Sequence, residues 1–346
     1  MAALGDFLGE TLEPTPAVAT TLESLRQTEQ IQGLFNEVGI STSPINGLRA
    51  DVRTRETNGG RLAADSTLWA AREQFPELGV DVALKNGGGI RDTIAGPTII
   101  RLTINAQLAF DNRLTILSMT GRQLIAAMEN SVSRVPAADG RFPHIAGMVM
   151  DVDASQPGVQ GQEELTSTSR VRRLVIRRSD GSTDVLVRNG VAVGDLDRTF
   201  VMATNSFLAT GGDGYAAFAA AEALAETPIG EQQILADYIS GPLGGLVNVQ
   251  DPPLPPRFER LDLSCKLRDT RPTVIVRGCD SGVANRRLSL GCTVSDVIRE
   301  ECRRNSGLPA AYAACITDEL EALSGDDALS QEMISPIASC ALNGPR

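Results

Sequence analysis

Cysteine is absent from the first 264 residues of this 346-residue chain, and all six cysteines lie between Cys265 and Cys340. An even number crowded into a short tail reads as a disulfide framework, and hence an oxidising compartment, set against the plainer reading of six buried thiols. The tail has no C-x-x-C pair and no histidine, so no zinc site is expected there. The spacing alone assigns no pairing. Histidine is scarcer still: His144 stands alone, which excludes a metal centre built from several imidazoles. No apolar run approaches the ~18 residues that a membrane-spanning helix needs; the most apolar stretch, residues 215–225, is interrupted by Glu222. The first 30 residues lack a basic start followed by an apolar run and carry Asp6, Glu10 and Glu13 instead, so no leader is read in them. The expectation is a trimmed mature chain or a piece of a longer one. Positive charge is also in short supply, with 32 Lys and Arg against 43 Asp and Glu, a net charge of −11. That balance excludes general affinity for nucleic-acid backbones. It leaves room for one small phosphorylated molecule in a local basic pocket.

What is present is enough apolar material, 42% of residues, for a sizeable core, with 22% charged. Spacing predicts a helix over residues 16–38, where Val18, Leu22, Leu25, Ile31, Leu34 and Phe35 recur, and a second over 58–73 capped by Thr57 or Asn58. From Val80 the period changes to two, and strands are predicted at 80–85, 114–119, 147–152, 171–177, 184–187 and 199–203. Asp180-Gly181 marks a hairpin. Helices are predicted at 121–133, 215–225, 230–240, 294–303 and 310–323. Strands and helices intermingle without strict alternation, which makes a mixed α/β fold, a mixed sheet with flanking helices, followed by a small helical, cysteine-containing region. Four prolines in Asp251 to Pro256 form a stiff segment. The predicted division is a lead-in with a hinge-like helix over 1–39, a main domain over 40–250, a Pro-rich linker over 251–256 and a tail domain over 257–346.

Two glycine-rich segments each follow a predicted strand. In Asn86-Gly87-Gly88-Gly89-Ile90-Arg91-Asp92, three glycines let the backbone approach a ligand, and Arg91 adds a planar fork suited to carboxylate or phosphate. The alternative is a tight turn with a surface arginine. No Gly-Lys-Ser/Thr follows, so this is not a P-loop. In Thr204-Asn205-Ser206-Phe207-Leu208-Ala209-Thr210-Gly211-Gly212-Asp213-Gly214-Tyr215, Phe207 can offer a ring to a planar ligand and Asp213 can accept hydrogen bonds from sugar hydroxyls. The alternative places Phe207 in the core. Ser206 lies in no G-x-S-x-G setting and is not marked as a nucleophile.

Together the two segments resemble the paired signatures of the C-terminal domain of 5′-nucleotidases. Arg55 to Asp65 (RETNGGRLAAD) is similar to the first helix of that domain, and Phe110-Asp111-Asn112, Met119-Thr120-Gly121 and Gly140-Arg141-Phe142-Pro143 fall where the family has comparable segments. The resemblance covers residues 40–245, and the helix at 16–38 resembles the family's interdomain hinge helix. It implies a nucleotide pocket in which two aromatic rings sandwich the base. Carried over by motif, the substrate-binding residues are Asn86, Arg91, Asn205, Phe207 and Asp213, with Phe142 as the second ring. His144 either lines the pocket beside that ring or is a satisfied, partly buried core histidine. The family's hydrolysis of phosphoesters depends on an N-terminal domain with two divalent metal ions, held by several His, Asp and Asn side chains. A single histidine cannot furnish that centre, so no catalytic residue, metal ligand or cofactor is expected in this chain. Whether it acts as an enzyme is left open. The resemblance implies the nucleotide-binding half of a secreted nucleotidase or UDP-sugar hydrolase, with a metallophosphatase domain or chain as partner, in an extracellular, periplasmic or cell-surface setting. The alternatives are a stand-alone nucleotide-binding or interaction module without catalysis, and a decayed domain whose pocket is no longer used.

Overall fold

The computed structural model describes residues 4–7, 10–12, 15–261, 269–286, 288, 292–302, 307–321, 323 and 328–344. A short hairpin, β1 (Leu4–Phe7) and β2 (Glu10–Leu12), precedes α1 (Pro16–Arg26) and α2 (Glu29–Gly33). The single helix predicted over 16–38 is thus broken. Thr28 turns extended, and its hydroxyl accepts the Ile31 N–H to start the second helix. Val38 belongs to a strand, β3 (Glu37–Ser41).

α3 (Asn58–Gln74) starts at Thr57, whose hydroxyl accepts the Gly60 N–H at 3.0 Å. There follow β4 (Val82–Asn86), β5 (Thr98–Ile100), α4 (Arg101–Gln107), β6 (Arg113–Thr120) and α5 (Gly121–Val132). The last begins in a capping box between Thr120 and Gln123. The chain continues through β7 (Pro143–Ala146), β8 (Met148–Val152), β9 (Val171–Arg177), β10 (Thr183–Arg188), β11 (Val191–Ala192) and β12 (Thr199–Asn205). Next come α6 (Ser206–Ala209), α7 (Ala216–Ala219), β13 (Glu222–Gly230), α8 (Glu231–Ser240), β14 (Leu246–Val247) and β15 (Phe258–Arg260). The helix predicted over 215–225 therefore stops at Ala219. Its alanines favour helix, but the edge of β6 is open, and β13 pairs there antiparallel. Ladder hydrogen bonds outweigh local propensity.

The central sheet has the order β13-β6-β12-β4-β7, with β12 and β4 parallel. A second sheet runs β11-β10-β9-β8-β15 and a third β14-β3-β5. One core fills the space between the central sheet, α5 and the second sheet: Val82, Leu84, Leu117, Leu124, Met150 and Phe200 are all buried in it. A second, around Ala64, Leu68, Ala83, Ile116 and Ala203, lies under α3 on the opposite face. β4 is consequently buried along its whole length. The polar half of its alternation does not meet water: Lys85 pairs with Glu231, and the Asp81 carboxylate accepts the Ser179 and Val201 N–H groups.

The Pro-rich segment does not hang free. The Asp251 carboxylate accepts from Arg55, from Asn46 and from the Asn58 N–H, Pro255 accepts from Arg61, and the Arg257 and Phe258 N–H groups donate to Glu56. β15 then pairs parallel with β8, so the second sheet draws on residues past 250. Beyond it, β16 (Thr273–Val276) and β17 (Cys279–Ala284) form a hairpin, with α9 (Val294–Glu301), α10 (Pro309–Glu321) and α11 (Gln331–Asn343) around a core of their own. The tail therefore contains a hairpin and a third helix, α11, besides the two predicted helices. Disulfides join Cys279 to Cys340 and Cys302 to Cys315, and Cys292 is also disulfide-bonded. Cys265 lies outside the described residues. No helix among the described residues is long and apolar enough to cross a membrane.

Candidate functional site

β4 and β12 are parallel neighbours, so the two glycine-rich segments leave the same end of the sheet side by side. Crevices beyond strand carboxyl ends are where open α/β sheets take ligands. A cavity of about 450 Å³ opens there, within the range of small-molecule sites. Asn86, Arg91, Phe207 and Asp213 line it.

Each is held by its neighbours. Gly87 lies against the preceding loop so closely that a methyl group on it would sit 1.9 Å from the Val52 carbonyl oxygen. The Asn86 side-chain amide donates to Asp213 Oδ2 at 2.6 Å and accepts from Asn205 Nδ2 at 3.3 Å. Asn205 is buried and caps α6, its Oδ1 accepting the Leu208 N–H. It does not line the cavity; it is placed to position Asn86. Asp213 sits in the left-handed region at φ 54°, a conformation Asp tolerates better than most residues. Its carboxylate packs on Gly140, where a methyl group would come within 3.1 Å of Oδ2. Gly212 has a different reason to be glycine: an added Cβ would lie 2.5 Å from the Phe207 ring. The ring rests on bare backbone, with 45% of its residue surface exposed.

The predicted second ring is elsewhere. Phe142 is 1% exposed and packs edge-on against Phe258, with centroids 4.9 Å apart, and against His144. Phe142 directly precedes β7, the last strand of the central sheet, and its side chain falls on the face that the core covers. The ring that lines the cavity together with Phe207 is Phe110, 46% exposed, with the Arg91 guanidinium 5.4 Å from its centroid. His144 is fully buried and outside the cavity. Its Nε2 donates to the Val52 carbonyl at 3.0 Å, Nδ1 has no partner among the described residues, and burial pushes the imidazole down to about 4. Ser206 uses its hydroxyl to accept the Arg113 N–H.

Four further lining residues were not singled out by the motifs. Arg53 is 9% exposed, and its Nε is buried without an acceptor among the described residues. Burial, and then repulsion from Arg49 and Arg91, lower its guanidinium below the usual value. Arg141 donates to Asp139, to the Asn130 and Gln160 side-chain oxygens and to the Ser133 hydroxyl. Burial pushes the Asp139 carboxyl up, but hydrogen bonds from Arg141 outweigh it and leave the group below the ordinary carboxylate range. Asn112 donates to Glu231, the partner of buried Lys85. Arg53 stands just ahead of the matched first-helix segment, and Asn112 within a segment noted only for its position, so spacing carried no signal of their convergence. Among the described residues, no group of three or more His, Cys, Asp or Glu side chains is arranged to hold a metal ion.

Beside this cleft of two half-exposed phenyl rings, three arginines and a glycine-seated aspartate stand the comparisons with known proteins. The family model for the 5′-nucleotidase C-terminal domain matches residues 37–220. The trifunctional nucleotide phosphoesterase protein YfkN of Bacillus subtilis is 30% identical over 266 residues, covering 76% of this chain and 16% of that protein. A snake venom 5′-nucleotidase of Naja atra is 28% identical over 219 residues, covering 60% of this chain and 38% of the venom protein. The crystal structure of a 5′-nucleotidase precursor from Thermus thermophilus superposes with a TM-score of 0.58 at 27% identity, covering 75% of this chain and 48% of that one. The match thus takes in less than half the length of each of these relatives. The chain belongs to the 5′-nucleotidase family and carries that family's C-terminal domain.

Proposed function

We propose that the cavity binds a nucleotide, with the base between Phe110 and Phe207, the phosphate toward Arg53 and Arg91, and the sugar hydroxyls at Asp213. The observation that carries this is the convergence, in one cavity of about 450 Å³, of two half-exposed rings with a buried guanidinium whose Nε has no acceptor among the described residues. Stacking is tolerant of base identity and contributes about 1–3 kcal/mol per base. Planar arginine forks suit phosphate oxygens. A buried guanidinium N–H with nothing to donate to is costly, and an incoming oxyanion relieves that cost.

On this reading the chain is the substrate-binding half of a phosphoester hydrolase of nucleotide catabolism. Two divalent metals, held by a metallophosphatase domain or partner chain, would supply the hydrolytic step, and the residues named here hold and orient the substrate. The disulfides, and the venom source of one relative, favour an extracellular, periplasmic or cell-surface location.

Calorimetry with a nucleoside monophosphate tests the assignment. Phe207→Ala, Phe110→Ala and Arg91→Ala are each expected to weaken binding by about 1–3 kcal/mol, whereas Phe142→Leu, a core change, leaves affinity near its starting value. Absence of binding by the unsubstituted chain, or unchanged affinity in all three cavity variants, refutes it.

A further inference from the structure

The disulfide-bonded tail holds a second, smaller cavity of about 160 Å³, formed between the β16–β17 hairpin, the start of α9 and α10. Arg271, Arg277 and Arg299 all line it, together with Asp269, Ser295 and Tyr312. Three guanidiniums around one small space are notable in a chain of net charge −11. Two of them are anchored: Arg271 donates through Nε and Nη2 to the Asp269 carboxylate, and Arg299 donates to Asp296 at 2.7 Å. Arg277 is different. It sits at the hairpin turn with φ 49°, and its Nη1 is shut off from solvent without a hydrogen-bond acceptor among the described residues. The Ser295 hydroxyl, on a residue only 7% exposed in the first turn of α9, is likewise buried without a partner among them. Two orphaned donors from different elements at one cavity call for an acceptor.

We propose that this cavity binds a phosphate-type tetrahedral oxyanion, gripped by Arg277 and Ser295. Its volume matches roughly five water molecules at about 30 Å³ each, enough for such a group and too little for a nucleotide. Asp269 and Asp296 are each already bonded to an arginine, and Asp280, within electrostatic reach of Arg271, accepts from Thr273, so the attraction rests on the donors of Arg277 and Ser295 rather than on net charge. The anion comes either free or as the end of a phosphomonoester.

Calorimetric titration of the full chain with inorganic phosphate, in parallel with glycerol 3-phosphate, tests the proposal. Arg277→Gln is expected to weaken the tail's phosphate site about tenfold or more while nucleoside monophosphate binding in the larger cavity is unchanged; Arg91→Ala has the reverse pattern, so failure of either assignment is visible separately. Comparable affinity for glycerol 3-phosphate identifies an ester terminus as the ligand, and an affinity about tenfold weaker identifies the free ion. Phosphate heats that are identical in Arg277→Gln and the unsubstituted chain overturn the proposal. Should Arg277→Gln fail to fold by circular dichroism, Ser295→Ala decides: several-fold weaker phosphate binding supports the site, and unchanged affinity overturns it.

Discussion

His144 shows what one side chain's surroundings decide. The ring packs so closely against α3 that a methyl group on Gly60 would lie 1.9 Å from Nδ1, and nothing described there can accept a second proton's hydrogen bond. Its pKa falls from 6.5 in the open chain to about 4 when folded, so the unfolded chain binds a proton that the native one refuses. The sign follows. Neutral His144 carries no proton-linked cost above pH 6.5, and stability is lost as pH falls from there through 4, by about 3 kcal/mol in total. Urea unfolding between about pH 7 and 4 should therefore show a steeper decline for the natural chain than for His144→Gln, which keeps a donor for Val52 but does not titrate. Parallel curves would contradict this. The same residue illustrates how far motifs reach. Asn86, Arg91, Phe207 and Asp213 were legible because backbone demands and chemistry coincide within each of two short segments. Phe142 was misplaced by the same reasoning, because the direction of a side chain at a strand boundary depends on what covers the strand.

Elements were legible where local signals sufficed, as at α3, where the expected cap Thr57 is in place, and at α5, predicted over 121–133 and found over Gly121–Val132. They were misread where a partner elsewhere in the chain decided, as for β13 along β6. The Pro-rich strap belongs to the second group. Its composition indicates stiffness, but its role comes from Asp251, where burial raises the carboxyl and hydrogen bonds from Arg55 and Asn46 lower it further than that, below the ordinary carboxylate range. Asp251→Ala leaves Asn46 and the Asn58 N–H without this acceptor and should reduce stability by about 1–3 kcal/mol, read as a shift in urea midpoint. An unchanged midpoint would make the segment a passive connection.

At the scale of the whole molecule, every residue assigned to the larger cavity lies between Arg53 and Asp213, whereas the assigned disulfides lie in a tail with its own core. Reduction should therefore loosen the tail, each bridge contributing about 2–5 kcal/mol, and leave nucleotide binding intact. Thermal unfolding followed with and without reductant, beside calorimetry, checks this; loss of nucleotide affinity on reduction would show that the two parts depend on each other. The amino-acid sequence by itself determined the fold class and the two glycine turns, because these rest on local periodicity and on backbone geometry that only glycine and a few polar residues allow, and it pointed to the family through the resemblance of the motifs around those turns. Only the tertiary structure decided which ring shares the cavity with Phe207, that Arg53 and Asn112 reach it, and where β13 and the strap belong, because each depends on contacts between segments far apart in the chain, whose relative placement is set by packing the core.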